Sequence, residues 1–109
     1  MAANFITLDS EERLESLFQE SHSNPVILFK HSNSCGISRG VFNEVSQVNS
    51  DINLIIVQNA RNVSNAIAER TGIRHESPQA IVLKQGQPVY HASHYDITAE
   101  DLDSATIND

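Results

Sequence analysis

Apolar residues recur along the chain with two different spacings, which predicts alternating helices and strands. Spacing of three or four residues, typical of a helix with one buried face, occurs in four segments. These segments carry Leu14, Leu17 and Phe18; Ile37, Val41, Val45 and Val48; Val63, Ala66 and Ile67; and Leu102 and Ala105. Short, mainly apolar runs, typical of buried strands, occupy residues 26–29, 52–57 and 80–83, and residues 89–92 read as the second strand of a β-hairpin. The predicted order is therefore α-β-α-β-α-β-β-α.

Local signals predict where the helices begin and end. Asp9, followed by Glu12 at the capping-box position, predicts the start of the first helix, which should end before Pro25. The other signals are Ser34 and Asn49 as approximate ends of the second helix, Asn62 and Gly72 as cap and terminator of the third, and Thr98 as cap of the fourth.

The order of elements predicts an α/β fold with a mixed four-stranded sheet and helices on both faces. The first two strands and the helix between them form a parallel βαβ unit, whose crossover should be right-handed. The last two strands, joined at Gln85 and Gly86, read as a β-hairpin. Because no repeat, low-complexity tract or linker divides the chain, residues 1–109 are expected to form one domain.

Composition excludes several classes of protein. Lys and Arg number 7 against 14 Asp and Glu, a formal net charge of −7, and such an acidic chain would repel a nucleic-acid backbone. The single cysteine excludes an intramolecular disulfide. No apolar run approaches the ~20 residues that cross a bilayer, and the N-terminus lacks the features of a signal peptide. We expect a cytoplasmic protein that binds neither nucleic acid nor membranes.

The candidate nucleophile is Cys35, which follows a buried strand and is expected in the first turn of the next helix. Unpaired N–H groups and the helix dipole favour a thiolate there, and helix N-terminal cysteines have pKa values of ~3.5–7.5 against ~8.5 for free cysteine. Ser38, one turn later, could donate a hydrogen bond to the sulfur. A buried, inert cysteine is the alternative. Because Ser34, Gly36 and Ser38 surround it, we interpret Cys35 as accessible and reactive.

Other candidate positions carry weaker signals. Pro78 stands where a strand is expected to begin, and base rates alone (about 5–6% cis) favour a trans bond after Ser77. His91 and His94 lack companions at ligand spacing, so no metal site is expected.

Four segments together resemble the monothiol bacilliredoxins, the YtxJ-like family of the thioredoxin superfamily. The resemblance covers nearly the whole chain, and the string from His75 to Ala80 is its most specific element. One departure is Gly36, where many family members carry proline. The segments are Lys30-His31-Ser32 with Cys35-Gly36-Ile37-Ser38, Ser64-Asn65-Ala66-Ile67-Ala68, His75-Glu76-Ser77-Pro78-Gln79-Ala80, and His91-Ala92-Ser93-His94 with Asp96-Ile97.

The resemblance implies a thioredoxin-like fold and removal of bacillithiol from protein mixed disulfides by Cys35. Bacillithiol is then a co-substrate, and no bound cofactor is implied. The implied partners are bacillithiolated proteins, and bacillithiol or another redox protein as reductant, since the chain has no second cysteine. In the superfamily the proline that matches Pro78 is cis and lies against the cysteine. The backbone of Ser77 could then pair with the bound partner like an added strand.

Charge and proximity in sequence add two candidate contacts for the malate carboxylates of bacillithiol. Lys30 and Arg39 flank the nucleophile, although either could be a solvated surface cation. Gly36, next to Cys35, is taken as part of the substrate-binding segment.

Two other functions are open at this stage. Cys-Gly-Ile-Ser at residues 35–38 differs by one residue from the motif of monothiol glutaredoxins, which share an iron–sulfur cluster between two chains. The double glycine and aspartate that those proteins carry downstream of their proline are missing here. The second alternative is a non-catalytic thioredoxin-like interaction module with an unreactive Cys35.

Overall fold

Five strands form one mixed sheet in the computed structural model, which describes residues 3–34 and 36–107. The strands are β1 (Asn4–Thr7), β2 (Val26–His31), β3 (Asp51–Ile56), β4 (Gln79–Lys84) and β5 (Gln87–Ser93). The α-helices are α1 (Glu11–Glu20), α2 (Gly36–Val45), α3 (Arg61–Thr71) and α4 (Ala99–Ala105), and a 3₁₀ turn spans His94–Asp96. No helix among the described residues is long and apolar enough to cross a membrane.

The sheet brings three strand ends together at one edge. Its order is β1-β3-β2-β4-β5, with β1, β3 and β2 parallel and with β4 antiparallel to both β2 and β5. Lys30 near the end of β2 therefore pairs with Gln79 at the start of β4, and His31 pairs with Ile56 at the end of β3. We call this side of the sheet the carboxyl edge. It is where the segment after β2 leads to α2.

The predicted number of strands, four, is wrong, because β1 was not recognised. This strand has four residues, pairs only with β3 at the border of the sheet, and none of its residues is fully buried. Such a short strand carries too few apolar positions to show a period. Its apolar contact is made by Phe5, whose ring stacks on Phe42 of α2 with 4.5 Å between centroids.

Alternating residues of the central strands send side chains to opposite faces, and each face buries a separate core. One face packs against α1 and α3, and the other packs against α2 and α4. The first core includes Leu14, Leu17, Phe18, Leu28, Ile55, Val63, Ile67 and Ile81, and the second includes Ile27, Phe29, Val41, Val45, Ile52, Val82 and Leu102. The prediction of helices on both faces is confirmed.

Some predicted helix ends are confirmed and others are wrong. Gly72 ends α3 in the left-handed conformation with φ 73°, and the Thr98 side chain accepts a hydrogen bond from the N–H of Asp101, as predicted. The first helix is capped by Ser10 rather than Asp9, since the Ser10 hydroxyl accepts from the N–H of Arg13.

Asn62 and Asn49 were also misplaced. Ala60 is the N-cap of α3 and makes no side-chain bond, while Asn62 lies inside the helix and donates to Glu11 of α1. The second helix ends at Val45 instead of about Asn49. Asn49 lies in the connection to β3, where its side chain and N–H donate to Asp103 of α4.

Candidate functional site

The segment between β2 and α2 is held from two sides. The Gln58 side-chain amide donates to the hydroxyls of Ser32 at 2.8 Å and Ser34 at 3.0 Å, and its oxygen accepts from the N–H of Asn33 at 3.3 Å. On the other side, the Ser38 hydroxyl accepts from the N–H of Ser32 at 3.3 Å. Residues 32–34 are thereby fixed at the carboxyl edge. The sequence reading missed Gln58, since a glutamine just after a strand is an ordinary loop residue.

The predicted nucleophile, Cys35, lies outside the described residues. Its position in sequence is directly after the fixed segment and directly before Gly36, the first residue of α2. Ser38 is fully buried within the first turn of that helix. That the Cys35 sulfur is a thiolate, and that the Ser38 hydroxyl donates to it, stay predictions.

Two further predicted residues lie on the exposed side of α2. Gly36 is exposed, and a methyl group added to it would meet no described heavy atom within 4 Å. Space at this position therefore does not require glycine. Arg39 is also exposed and makes no ion pair with another described residue.

Arg39 lines a pocket of about 360 Å³ between α2 and the sheet. Other walls come from the end of β2 and from β3, including His31, Phe42 and Leu54. The ring of His31 lies 5.1 Å from that of Phe42, and burial lowers the pKa of His31, which favours the neutral imidazole. This pocket, which lies beside the end of β2, combines apolar walls with one cation, Arg39 of α2.

The expectation that Lys30 is an accessible cation is wrong. Its side chain is 1% exposed, and Nζ donates to the Ser64 carbonyl and to His75 Nδ1, both at 3.1 Å. The cause is strand alternation, because Lys30 shares the face of Leu28 that packs against α1 and α3. Arg39 belongs to α2 on the opposite face, so the two cations do not form one site. Burial lowers the pKa of Lys30 to about 8.

His75, whose side chain is itself exposed, forms a polar cluster with the buried residues Lys30 and Ser64. Its Nδ1 lies 3.1 Å from both Lys30 Nζ and Ser64 Oγ. Burial, followed by the charges of Lys30 and Arg61, lowers the pKa of His75, and Glu76 opposes this in part. A neutral ring that accepts at Nδ1 carries its proton on Nε2. No local sequence pattern predicts this cluster, since Lys30 and His75 are 45 residues apart.

The Ser77–Pro78 peptide bond is cis, as the resemblance implied and against the base rate of the residues alone. Pro78 is buried, and its carbonyl accepts from the N–H of His94 at 3.0 Å. Within residues 3–34 and 36–107, no hydrogen bond engages the N–H or carbonyl of Ser77. Those groups lie beside the start of β4, on the carboxyl edge.

The described residues contain no group of three or more His, Cys, Asp or Glu side chains that could hold a metal ion. His91 lies in β5 and His94 begins the 3₁₀ turn.

Comparison with solved structures identifies the fold. A thioredoxin from Malassezia sympodialis is 13% identical, with a TM-score of 0.73 and coverage of 97% of this chain and 90% of that one. A thioredoxin pre-protein from Schistosoma mansoni is 20% identical, with a TM-score of 0.68 and coverage of 95% and 99%. The chain therefore has the thioredoxin fold.

Closer similarity defines the family. A structure described as a candidate oxidoreductase with a thioredoxin fold is 32% identical, with a TM-score of 0.85 and coverage of 93% of this chain and 92% of that one. The model of the monothiol bacilliredoxin family, BrxC, matches residues 6–102, a span that includes every predicted site residue. The chain belongs to the monothiol bacilliredoxin family, and this membership supports a redox function.

Proposed function

We propose that this protein is a thiol–disulfide oxidoreductase that removes bacillithiol from protein mixed disulfides through Cys35. The observation that carries the proposal is the family match over residues 6–102, within which Cys35 is the chain's only cysteine. The fixed segment 32–34, directly before Cys35, and the buried Pro78 at the same edge support it.

The proposed reaction is a thiol–disulfide exchange in two steps. The Cys35 thiolate attacks the bacillithiol sulfur, the bond to the protein sulfur breaks, and the protein leaves as a thiolate that takes a proton. Cys35 is then joined to bacillithiol by a new disulfide. A second thiol, from free bacillithiol or another redox protein, attacks the bacillithiol sulfur and releases Cys35.

The backbone groups of Ser77, which make no hydrogen bond within residues 3–34 and 36–107, give the substrate a way to dock. An extended segment of the mixed disulfide could pair with the N–H and carbonyl of Ser77, in the manner of a strand added to a sheet. Pro78 fixes this position through its buried ring and the bond from His94 to its carbonyl. Arg39 is retained as a candidate contact for an anionic group of the substrate, since it is exposed and lines a pocket beside segment 32–34.

Mass spectrometry of a single-cysteine protein that carries bacillithiol tests the proposal. The wild-type chain is expected to strip bacillithiol from the substrate and to gain one bacillithiol itself, and Cys35→Ser should do neither while keeping its circular-dichroism spectrum. A matched control combines Ser34→Cys with Cys35→Ser, which keeps one thiol but moves it by one residue, and it should exchange no faster than a free thiol. Equal transfer by the control and the wild type would refute a dedicated site.

Absorbance of the protein purified without oxygen separates this function from that of a monothiol glutaredoxin. We expect a colourless protein, whereas a bound iron–sulfur cluster would give visible absorption and contradict the proposal. Reactivity of Cys35 towards a small disulfide, measured across pH, addresses the interaction module. Exchange that persists well below pH ~8.5 is expected for an activated thiolate.

A further inference from the structure

A second pocket opens on the α3 side of the carboxyl edge, across the sheet from the pocket of Arg39. It encloses about 130 Å³ and is lined by Val57, Arg61, Ser64, Asn65 and His75. Val57 directly follows β3, and its N–H donates to the carbonyl of His31 at 3.0 Å. The pocket therefore lies beside the end of β2. At about 30 Å³ per water it has room for about four waters or one carboxylate-bearing fragment.

Three residues around this pocket, Arg61, Asn65 and His75, offer donors that have no partner within the described residues, while the Ser64 hydroxyl lies 3.1 Å from His75 Nδ1. Neither the Arg61 guanidinium nor the Asn65 amide bonds to another side chain in the part of the chain that the structure describes. His75 accepts at Nδ1 from Lys30, which leaves its Nε2–H as a further donor. A carboxylate accepts hydrogen bonds only, so this set of donors matches its chemistry.

A buried cation lies behind the pocket. The Lys30 ammonium is bonded to two groups of the pocket residues, the Ser64 carbonyl and His75 Nδ1, at 3.1 Å each. Its charge is withdrawn from solvent, since the side chain is 1% exposed, and a charge in such surroundings acts more strongly than one in water. An anion in the pocket would thus face Arg61 directly and Lys30 through His75.

The arrangement is unusual for this acidic chain, in which Asp and Glu outnumber Lys and Arg by 14 to 7. Arg13 and Arg70 are paired with glutamates, whereas Arg61 is not paired within the described residues. Two acidic residues are associated with this region: Glu76 follows His75 in the sequence, and Glu11 accepts a hydrogen bond from Asn62 of α3. Neither lines the pocket. Positive charge is therefore left available at this place.

We propose that Arg61, Asn65 and His75, backed by Lys30, form a carboxylate subsite that holds the malate end of bacillithiol. The inference rests on the proposed function, in which bacillithiol is the substrate thiol. It adds the place where the anionic end of bacillithiol binds. Because the loop that carries His75 continues into Ser77 and Pro78, a ligand held here lies along the same loop as the proposed docking groups. The proposal assigns malate to the α3 side of the carboxyl edge and not to the α2 side, where Arg39 lines the other pocket.

The test compares Arg61→Gln with Arg70→Gln. Both substitutions remove one positive charge from α3, but Arg70 is paired with Glu15 and is remote from the pocket lining. Each variant is assayed with one protein substrate carrying either bacillithiol or an analogue that has a methyl group in place of malate. Arg61→Gln should slow removal of bacillithiol about tenfold, the effect expected for losing a charge-assisted hydrogen bond, and should not slow removal of the analogue. Arg70→Gln should change neither rate.

A binding measurement keeps this inference separate from the proposed function. In the Cys35→Ser background, oxidised bacillithiol is titrated against the full chain while the His75 imidazole is followed by NMR. The His75 signals should shift, and Arg61→Gln should weaken binding about tenfold. Two results would overturn the subsite alone. In one, the wild-type chain removes bacillithiol and its methyl analogue at the same rate. In the other, Arg39→Gln weakens binding of oxidised bacillithiol and Arg61→Gln does not. Absence of exchange with intact binding would overturn the proposed function alone.

If slowing by Arg61→Gln were equal for bacillithiol and the methyl analogue, the carboxylate would belong to the protein substrate. That result also overturns the assignment to malate.

Discussion

Replacing the buried Lys30 with methionine should make the protein's stability less dependent on pH. Burial lowers the pKa of Lys30 from 10.5 to about 8, so between these values the unfolded chain holds a proton that the folded chain has released. The free energy of unfolding of the wild type must therefore rise with pH in this range and lose that gain below pH 8. Methionine has similar length, does not titrate, and removes the buried charge.

The size of the effect follows from the pKa difference. At about 1.4 kcal/mol per pKa unit, a charged Lys30 costs the folded state about 3 kcal/mol at neutral pH. Between pH 7 and pH 10 most of this cost disappears, so the wild type should gain about 2 kcal/mol relative to Lys30→Met. At pH 7 the variant should be at least as stable as the wild type, because its missing bonds to Ser64 and His75 offset only part of the gain.

Urea unfolding followed by far-ultraviolet circular dichroism at pH 7, 8, 9 and 10 measures the difference. Both proteins should carry Cys35→Ser, so that no thiol titrates in this range. Lys84→Met is the matched control, since Lys84 lies at the other end of β4, is partly exposed and donates to the carbonyl of Ile107. The difference in free energy of unfolding between Lys84→Met and the wild type should not change with pH. Parallel curves for the wild type and Lys30→Met would refute the reasoning, because they would mean that the Lys30 ammonium is equally solvated in both states.

Three other substitutions have definite expected outcomes. Ser38→Ala should lower the free energy of unfolding by about 1 kcal/mol, since it removes the acceptor for the N–H of Ser32, and should slow exchange by Cys35; unchanged values of both would contradict the role of the hydroxyl. Pro78→Ala should raise the KM for a mixed disulfide more than it lowers the urea midpoint, and an unchanged KM would count against docking at this loop. Thr98→Ala should cost about 1 kcal/mol in urea unfolding by removing the cap of α4, with no change in exchange rate; an altered rate would show that the helix end affects the site.

Most of the fold could be predicted because its elements have strong local signals. The central strands are unbroken apolar runs, and Gly72 and Thr98 mark helix ends by mechanisms that act within one turn. The first strand could not be found in this way, because β1 depends on pairing with β3 some 47 residues later. Its stability comes from a long-range contact, such as Phe5 on Phe42, that no local pattern records.

In the candidate site, too, features with a local sequence signal could be predicted and features that depend on long-range contacts could not. The position of Cys35 after a buried strand and the string around Pro78 were visible in the sequence and led to the family. The burial of Lys30 was not, since a lysine that follows an apolar run looks like the polar end of a strand. Only the partners of its ammonium, Ser64 and His75, explain how the charge is accommodated inside. Gln58 was missed for a related reason, because its bonds reach back across 24 to 26 residues.

Two of the arginines that make no ion pair within the described residues have a consequence for how partners approach the molecule. Arg39 and Arg61, on the first turns of α2 and α3, stand at one end of a chain whose formal charge is −7. These two positive charges on an acidic chain should draw an anionic partner towards this end of the molecule. Such steering acts over about 10 Å at 0.1 M ionic strength and fades as salt is added. An anionic partner would therefore be oriented towards Arg39 and Arg61 before it contacts the protein.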